Sequence, residues 1–104
     1  MPTEVRIISD IRAAGRYDEV VASEAEAIRL VRAAIPHAIQ LPAAAAGLPY
    51  PAPPAGVLAW YQSHPAEPAV GNLMPHIKYA DWTAGRKATG GSWGHLFFPP
   101  ATGG

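Results

Sequence analysis

Two segments in the last third of the chain decide its fold, PHIKYADW at residues 75–82 and GGSWGHLFF at residues 90–98. In the first segment, apolar Ile77 and Tyr79 alternate with polar residues, which is the pattern of a strand with one buried face. The second segment places His95 inside an apolar, strand-like run and follows a glycine-rich loop. We therefore predict that each segment forms a strand and that the two strands pair antiparallel.

Upstream of these strands, the clearest element is a helix from about Glu24 to Ile35. Residues 23–26 form a capping box, in which the Ser23 side chain accepts from the amide of Glu26 and the Glu26 carboxylate reaches back. Pro36 ends the helix. Its predicted buried stripe is apolar and consists of Ile28, Val31 and Ile35, widened by Ala27 and Leu30.

The rest of the chain predicts short strands around a proline-rich connector at residues 41–56, which is too rich in proline for a strand ladder. The predicted strands are Glu4–Ile8, Tyr17–Val21 (or a lead-in to the helix), Val57–Gln62, His76–Tyr79 and Trp93–Phe98. Residues 101–104 are predicted to be a loose tail. The sequence thus predicts a single α+β domain over residues 1–104, with one main N-terminal helix packed on a small antiparallel sheet.

Composition limits the possible functions. The chain has 104 residues, no cysteine and a net charge of zero, so disulfides and cysteine-ligated zinc are excluded and wrapping around a duplex is disfavoured. We find no apolar run long enough to span a membrane and no pattern of a signal peptide at the start. We therefore expect no membrane partner.

Polar residues at alternate strand positions define a candidate site. His76 and Lys78 share one face of their strand, and His95 lies on the neighbouring strand. Antiparallel pairing would bring these three predicted catalytic residues together on an open sheet face. The loop from Thr83 to Ser92 would arch over that face. It supplies the predicted substrate-binding residues Arg86, Lys87, Thr89 and Ser92, with Trp82 and Trp93 beside them.

This combination predicts cleavage of RNA without a metal or other cofactor. Attack by the RNA 2′-hydroxyl needs a base, an acid for the leaving oxygen, and cations for the charge on phosphorus. His76 and His95 suit the proton transfers near neutral pH, while Lys78 suits the phosphate. A tryptophan could stack on a base.

Two other interpretations stay open. His64, His76 and His95, with Asp81 or Glu67, could instead bind a metal ion in a metal-dependent nuclease, although their spacing matches no short zinc motif. Alternatively, the chain could be a non-enzymatic binding module, such as an immunity protein, that uses exposed aromatic residues as contacts.

Residues 71–79 (GNLMPHIKY) and 91–98 (GSWGHLFF) resemble the C-terminal toxin domains of bacterial polymorphic toxins of the contact-dependent and RHS types. The resemblance is to the group of barnase, EndoU-like and colicin-type RNases. It implies an RNase with His76 and His95 as the acid–base pair. It also implies secretion within a larger effector, action in the target-cell cytoplasm and a cognate immunity protein. Other toxins of this size act on NAD or nucleotides, and that alternative stays open.

Overall fold

The computed structural model describes residues 2–101. Two helices lie on one five-stranded sheet with the strand order β1-β5-β4-β3-β2. The elements are α1 (Glu4–Arg12), β1 (Gly15–Val20), α2 (Glu24–Ala34), β2 (Ile39–Gln40), β3 (Ala59–His64), β4 (His76–Asp81) and β5 (Ser92–Phe97), with a 3-10 turn at Pro68–Val70. The α+β class predicted from the sequence is confirmed.

The sheet is mixed. Strands β3, β4 and β5 pair antiparallel, as predicted, but β1 pairs with β5 and β2 pairs with β3 in parallel. Strand β3 begins and ends two residues later than predicted, and Val57, just before it, packs against a second apolar cluster. The predicted purely antiparallel sheet was therefore right only for its three central strands.

The strand predicted at Glu4–Ile8 is wrong, because these residues open helix α1. The Thr3 side chain caps the helix by accepting from the amide of Arg6, at 3.2 Å. Ile7 and Ile11 are the buried residues, at helical spacing, whereas Val5 is 78% exposed. The alternation within residues 4–8 was misleading, because the buried apolar residues Ile7 and Ile11 recur at the helical spacing of four.

Helix α2 follows the sequence prediction closely, except that the Glu26 carboxylate pairs with Arg29 instead of reaching back to the Ser23 amide. Ser23 accepts from the amide of Glu26 at 3.1 Å, and the helix runs from Glu24 to Ala34. Its buried residues are Ala27, Leu30, Val31 and Ala34, and Ile35 directly behind them is also buried. Ile28, predicted in the stripe, is only partly buried.

The two helices cover one face of the sheet. Ile77 and Tyr79 of β4 and Leu96 of β5 are fully buried there among the helix residues. The Tyr79 hydroxyl donates to the Tyr17 carbonyl at 3.1 Å, so it joins β4 to β1 across β5. Gly94 makes this crossing possible, because a Cβ atom at that position would clash with the same carbonyl.

The proline-rich connector crosses the other face. Gln62 of β3 donates to the carbonyls of Pro42 and Pro51, at 2.9 and 3.0 Å, which fastens the connector to the sheet. Within residues 2–101, neither helix is long and apolar enough to cross a membrane. Most of the predicted loose tail, residues 102–104, lies outside the described part of the chain.

Candidate functional site

The sheet face turned away from the helices carries three rows of side chains that run across β3, β4, β5 and β1. The rows follow from the strand register. The first row is Trp60, Ala80, Trp93 and Arg16; the second is Gln62, Lys78, His95 and Asp18; the third is His64, His76, Phe97 and Val20. All three predicted catalytic residues therefore lie on this face.

The second row contains a hydrogen-bonded pair. His95 Nδ1 lies 2.9 Å from Asp18 Oδ1, and the His95 amide donates to the same oxygen at 3.0 Å. Arg16 Nε holds the other Asp18 oxygen at 2.9 Å. Because an ionised carboxylate only accepts hydrogen bonds, His95 donates from Nδ1, which leaves Nε2 as the free basic nitrogen. Lys78 is directly opposite His95 in the register.

Burial is the largest influence on the pKa of His95, whose side chain is 12% exposed. Desolvation lowers the pKa of His95 below its ordinary value, and the attraction of Asp18 opposes this only in part. The ring is therefore neutral near pH 7. A neutral imidazole oriented by a carboxylate is the usual arrangement of a general base.

The third row continues into a buried cluster of His64, Glu67 and His76. Glu67 reaches it from the loop between β3 and β4. Its Oε1 lies 2.9 Å from His76 Nε2 and 3.5 Å from His64 Nδ1. These atoms form a group of potential metal ligands that all lie within 4.8 Å of one another. Despite these distances, neither of the two histidine nitrogens makes a hydrogen bond.

The outer ring nitrogens of both histidines are already occupied. His76 Nδ1 lies 3.0 Å from the Met74 carbonyl and donates to it. His64 Nε2 lies 2.7 Å from Gln62 Oε1. The connector contacts of Gln62 fix its amide group, so the oxygen must face His64 and accept. Each histidine thus turns its remaining nitrogen toward Glu67.

Burial and neighbouring charges shift the pKa values of His64 and Glu67 in this cluster. Desolvation lowers the pKa of His64, and the nearby carboxylate of Glu67 compensates only in part. Burial alone would raise the pKa of Glu67, but hydrogen bonds from Tyr50 and Asn72, together with the two histidines, outweigh it and lower that pKa. Near pH 7 the cluster therefore holds an ionised Glu67 beside a neutral His64.

Four cations lie against the three tryptophan rings around the first row. Arg16 and Lys87 lie 5.2 and 4.4 Å from the Trp93 ring centre. Lys78 lies 5.7 Å from that of Trp60 and Arg86 lies 5.8 Å from that of Trp82. These are cation–π contacts, which hold the charged groups at defined positions. The tryptophans therefore position cations rather than leaving open rings for stacking.

The structure places the remaining predicted residues in different surroundings from those expected. His76 was expected to point into an open face but is fully buried. Ser92 lies on the helix side, where its hydroxyl donates to the carbonyls of Arg12 and Ala13. Thr89 accepts from the Arg86 amide at 2.8 Å and so stabilises the loop turn. Asp81, a metal ligand in the alternative interpretation, pairs with Thr83 and His37 instead.

Sequence reasoning missed Asp18, Gln62 and Tyr50. Asp18 reaches His95 only because β1 and β5 are parallel neighbours, a pairing that local periodicity does not encode. The alternation of residues 60, 62 and 64 in β3 was a readable signal for Gln62 and His64, because they share a face with Trp60.

Comparisons with family models, with curated proteins and with solved structures found no match to this chain.

Proposed function

We propose that this chain is a nuclease domain that binds single-stranded RNA across the sheet face opposite the helices and cleaves it beside His95. The observation that carries the proposal is the row of Lys78, His95 and Asp18, which places a cation and a carboxylate-oriented imidazole side by side. A base held by a third group next to a phosphate-binding cation is what phosphodiester cleavage requires.

The cations around this row support the choice of an anionic substrate. Arg16, Lys78 and Lys87 are held against the tryptophans, so their positions are defined before a ligand arrives. A flexible single strand can follow such a face, whereas a duplex would meet too few cations.

In the proposed reaction, His95 Nε2 takes the proton of the RNA 2′-hydroxyl. The 2′-oxygen then bonds to phosphorus, and the bond from phosphorus to the 5′-oxygen breaks. Lys78 stabilises the charge on the phosphate, and the leaving 5′-oxygen takes a proton from its ammonium group. The products are a 2′,3′-cyclic phosphate and a 5′-hydroxyl. The step needs the 2′-hydroxyl, which favours RNA over DNA, and it needs no metal.

This proposal gives His76 a different role from the one expected from the sequence. Its ring has no exposed surface, and its Nδ1 is held by the Met74 carbonyl. Proton exchange with a substrate would require the ring to leave the core. The proton transfers are therefore assigned to His95 and Lys78 alone.

The cellular context is also part of the proposal. The resemblance of residues 71–79 and 91–98 to polymorphic toxin domains supports delivery within a larger effector into a competing cell. A cognate immunity protein would then cover the face with Lys78 and His95. Protection of the cell that makes the toxin requires only that RNA be excluded from this face.

A cleavage assay tests the proposal. A single-stranded RNA and a DNA of the same sequence are incubated with the wild type, His95→Gln and His37→Gln, in chelator and with added Zn²⁺. We expect the wild type to cut RNA but not DNA, in chelator as well, and to leave cyclic phosphate ends. His95→Gln should be at least about 100-fold slower.

His37 provides the matched control, because it is the exposed histidine whose contacts are with Thr83 and Asp81, outside the proposed site. His37→Gln should cut at the wild-type rate. Intact RNA with the wild type under both metal conditions would refute the nuclease. An unchanged rate in a folded His95→Gln would remove His95 from the reaction.

A further inference from the structure

The cluster of His64, Glu67 and His76 presents three electron-pair donors to one small buried space. The orientation of Gln62 fixes the proton of His64 on Nε2, and Met74 fixes that of His76 on Nδ1. The remaining ring nitrogens, His64 Nδ1 and His76 Nε2, are both directed at Glu67 Oε1, at 3.5 and 2.9 Å. Buried polar atoms almost always have a partner, so two adjacent nitrogens without one need an explanation.

We propose that His64 Nδ1, Glu67 Oε1 and His76 Nε2 bind a divalent transition-metal ion. A cation that lies between three donors satisfies all of them at once. It also explains how Glu67 Oε1 can lie 2.9 Å from His76 Nε2 without a hydrogen bond, because ligands of a shared metal lie beside one another's lone-pair axes rather than on them. Two imidazoles and one carboxylate form a ligand set typical of Zn²⁺ with one open position. Ca²⁺ and Mg²⁺ prefer oxygen ligands.

The residues around the cluster resemble the outer shell of a metal site. A metal-binding histidine normally donates its other ring N–H to a carbonyl or carboxylate, which fixes its orientation and makes it more basic. Met74 and Gln62 do this here. Tyr50 donates a hydrogen bond to Glu67 Oε2, and Asn72 Nδ2 lies 3.5 Å from Oε1, the oxygen proposed to bind the metal. Each of the three proposed ligands is thus held by another group.

Metal binding would join three separate parts of the chain. His64 ends β3, His76 begins β4, and Glu67 lies in the loop between them. Tyr50 brings in the connector, since its ring packs edge-on against His64 at 4.7 Å. The ion would therefore fasten both loops to the sheet. This inference does not depend on the proposed nuclease, because binding can be measured whether or not RNA is cut.

The competing explanation is a pair of protonated imidazoles around Glu67 with no metal. Metal titration distinguishes the two. Tag-free protein is treated with chelator, dialysed and titrated with ZnCl₂ in a calorimeter. In parallel, Co²⁺ is added and the visible absorption of the bound ion is recorded. We expect one equivalent to bind and the spectrum of a four- or five-coordinate site.

Variants assign the ligands. Glu67→Gln keeps the size of a side chain that is 18% exposed and should weaken Zn²⁺ binding by about 100-fold or more, as should His64→Gln. Tyr50→Phe removes only the outer hydrogen bond and should weaken binding about tenfold. His37→Gln should bind like the wild type. Circular dichroism confirms that each variant is folded.

Two results would overturn the proposal. One is the absence of saturable Zn²⁺ binding to the wild type, which would favour the protonated pair. The other is equal affinity in the wild type and a folded Glu67→Gln variant. The RNA assay cannot produce either result, so failure of the metal site and failure of the nuclease are distinguishable.

Discussion

The two faces of the sheet differ in the side chains they carry and in what packs against them. On the helix side, Ile77, Tyr79 and Leu96 are buried against α1 and α2 and form a continuous apolar core. On the connector side, His64, His76 and Gln62 are almost as deeply buried, yet each is polar. Burial alone therefore does not separate the apolar core from the residues of the proposed sites. The difference lies in the histidines of the connector side. On His64 and His76, one ring nitrogen has its proton fixed by a hydrogen bond, and the other makes no hydrogen bond.

The comparison suggests that each face has its own task. The helix face supplies most of the hydrophobic free energy of folding. The connector face contributes less hydrophobic free energy, because polar and charged groups occupy defined positions on it. Such a division predicts that substitutions on the helix face change stability, whereas substitutions on the connector face change ligand binding.

The largest expected effect on stability comes from Leu30→Ala on the helix face. Leu30 is 1% exposed, so the substitution leaves a cavity and should lower the free energy of unfolding by about 2–5 kcal/mol. Urea denaturation followed by circular dichroism measures this change. Zn²⁺ affinity of the folded fraction should stay the same. A loss below about 1 kcal/mol would mean that α2 is not packed as described.

An intermediate effect is expected from metal on the connector face. Zn²⁺ at 100 times its dissociation constant should raise the free energy of unfolding of the wild type by about 2.7 kcal/mol. Chelator should reverse the effect. Thermal melts with and without the ion, repeated on Glu67→Gln, provide the check. Equal stabilisation of that variant would show that the ion acts elsewhere.

The smallest effect on stability is expected for Lys78→Ala. Its contact with Trp60 is worth only about 0.5–1 kcal/mol. RNA binding should change more clearly, because one phosphate contact is lost and the salt dependence of log affinity should become shallower by about 0.7. Fluorescence anisotropy at several salt concentrations measures this slope. An unaltered slope would remove Lys78 from the RNA-binding face.

Sequence alone predicted those parts of the fold that depend on near neighbours. The capping box of Ser23 and Glu26 located α2, and the alternation around Ile77 correctly placed His76 and Lys78 on one face. Helix α1 was missed because five alternating residues fit a strand as well as a helix. Only the buried Ile11, four residues after Ile7, distinguishes the two.

The remaining parts of the site depend on contacts between distant residues. His76 was expected to be exposed, and its burial results from Glu67 and the loop around it, together with His95 and Phe97. Likewise, nothing near Asp18 in the sequence indicates that it will meet His95. A prediction of this site needed the strand order, which local patterns do not contain.

The position of β5 beside the edge strand β1 has a consequence for folding. β5 lies between β1 and β4, so β1 has no neighbouring strand until β5 is in place. Asp18 and His95 are 77 residues apart, and the loop-closure cost of such a pairing slows folding. During synthesis, β1 leaves the ribosome long before its partner is made. The proposed catalytic pair is therefore expected to form late, when β5 enters the sheet.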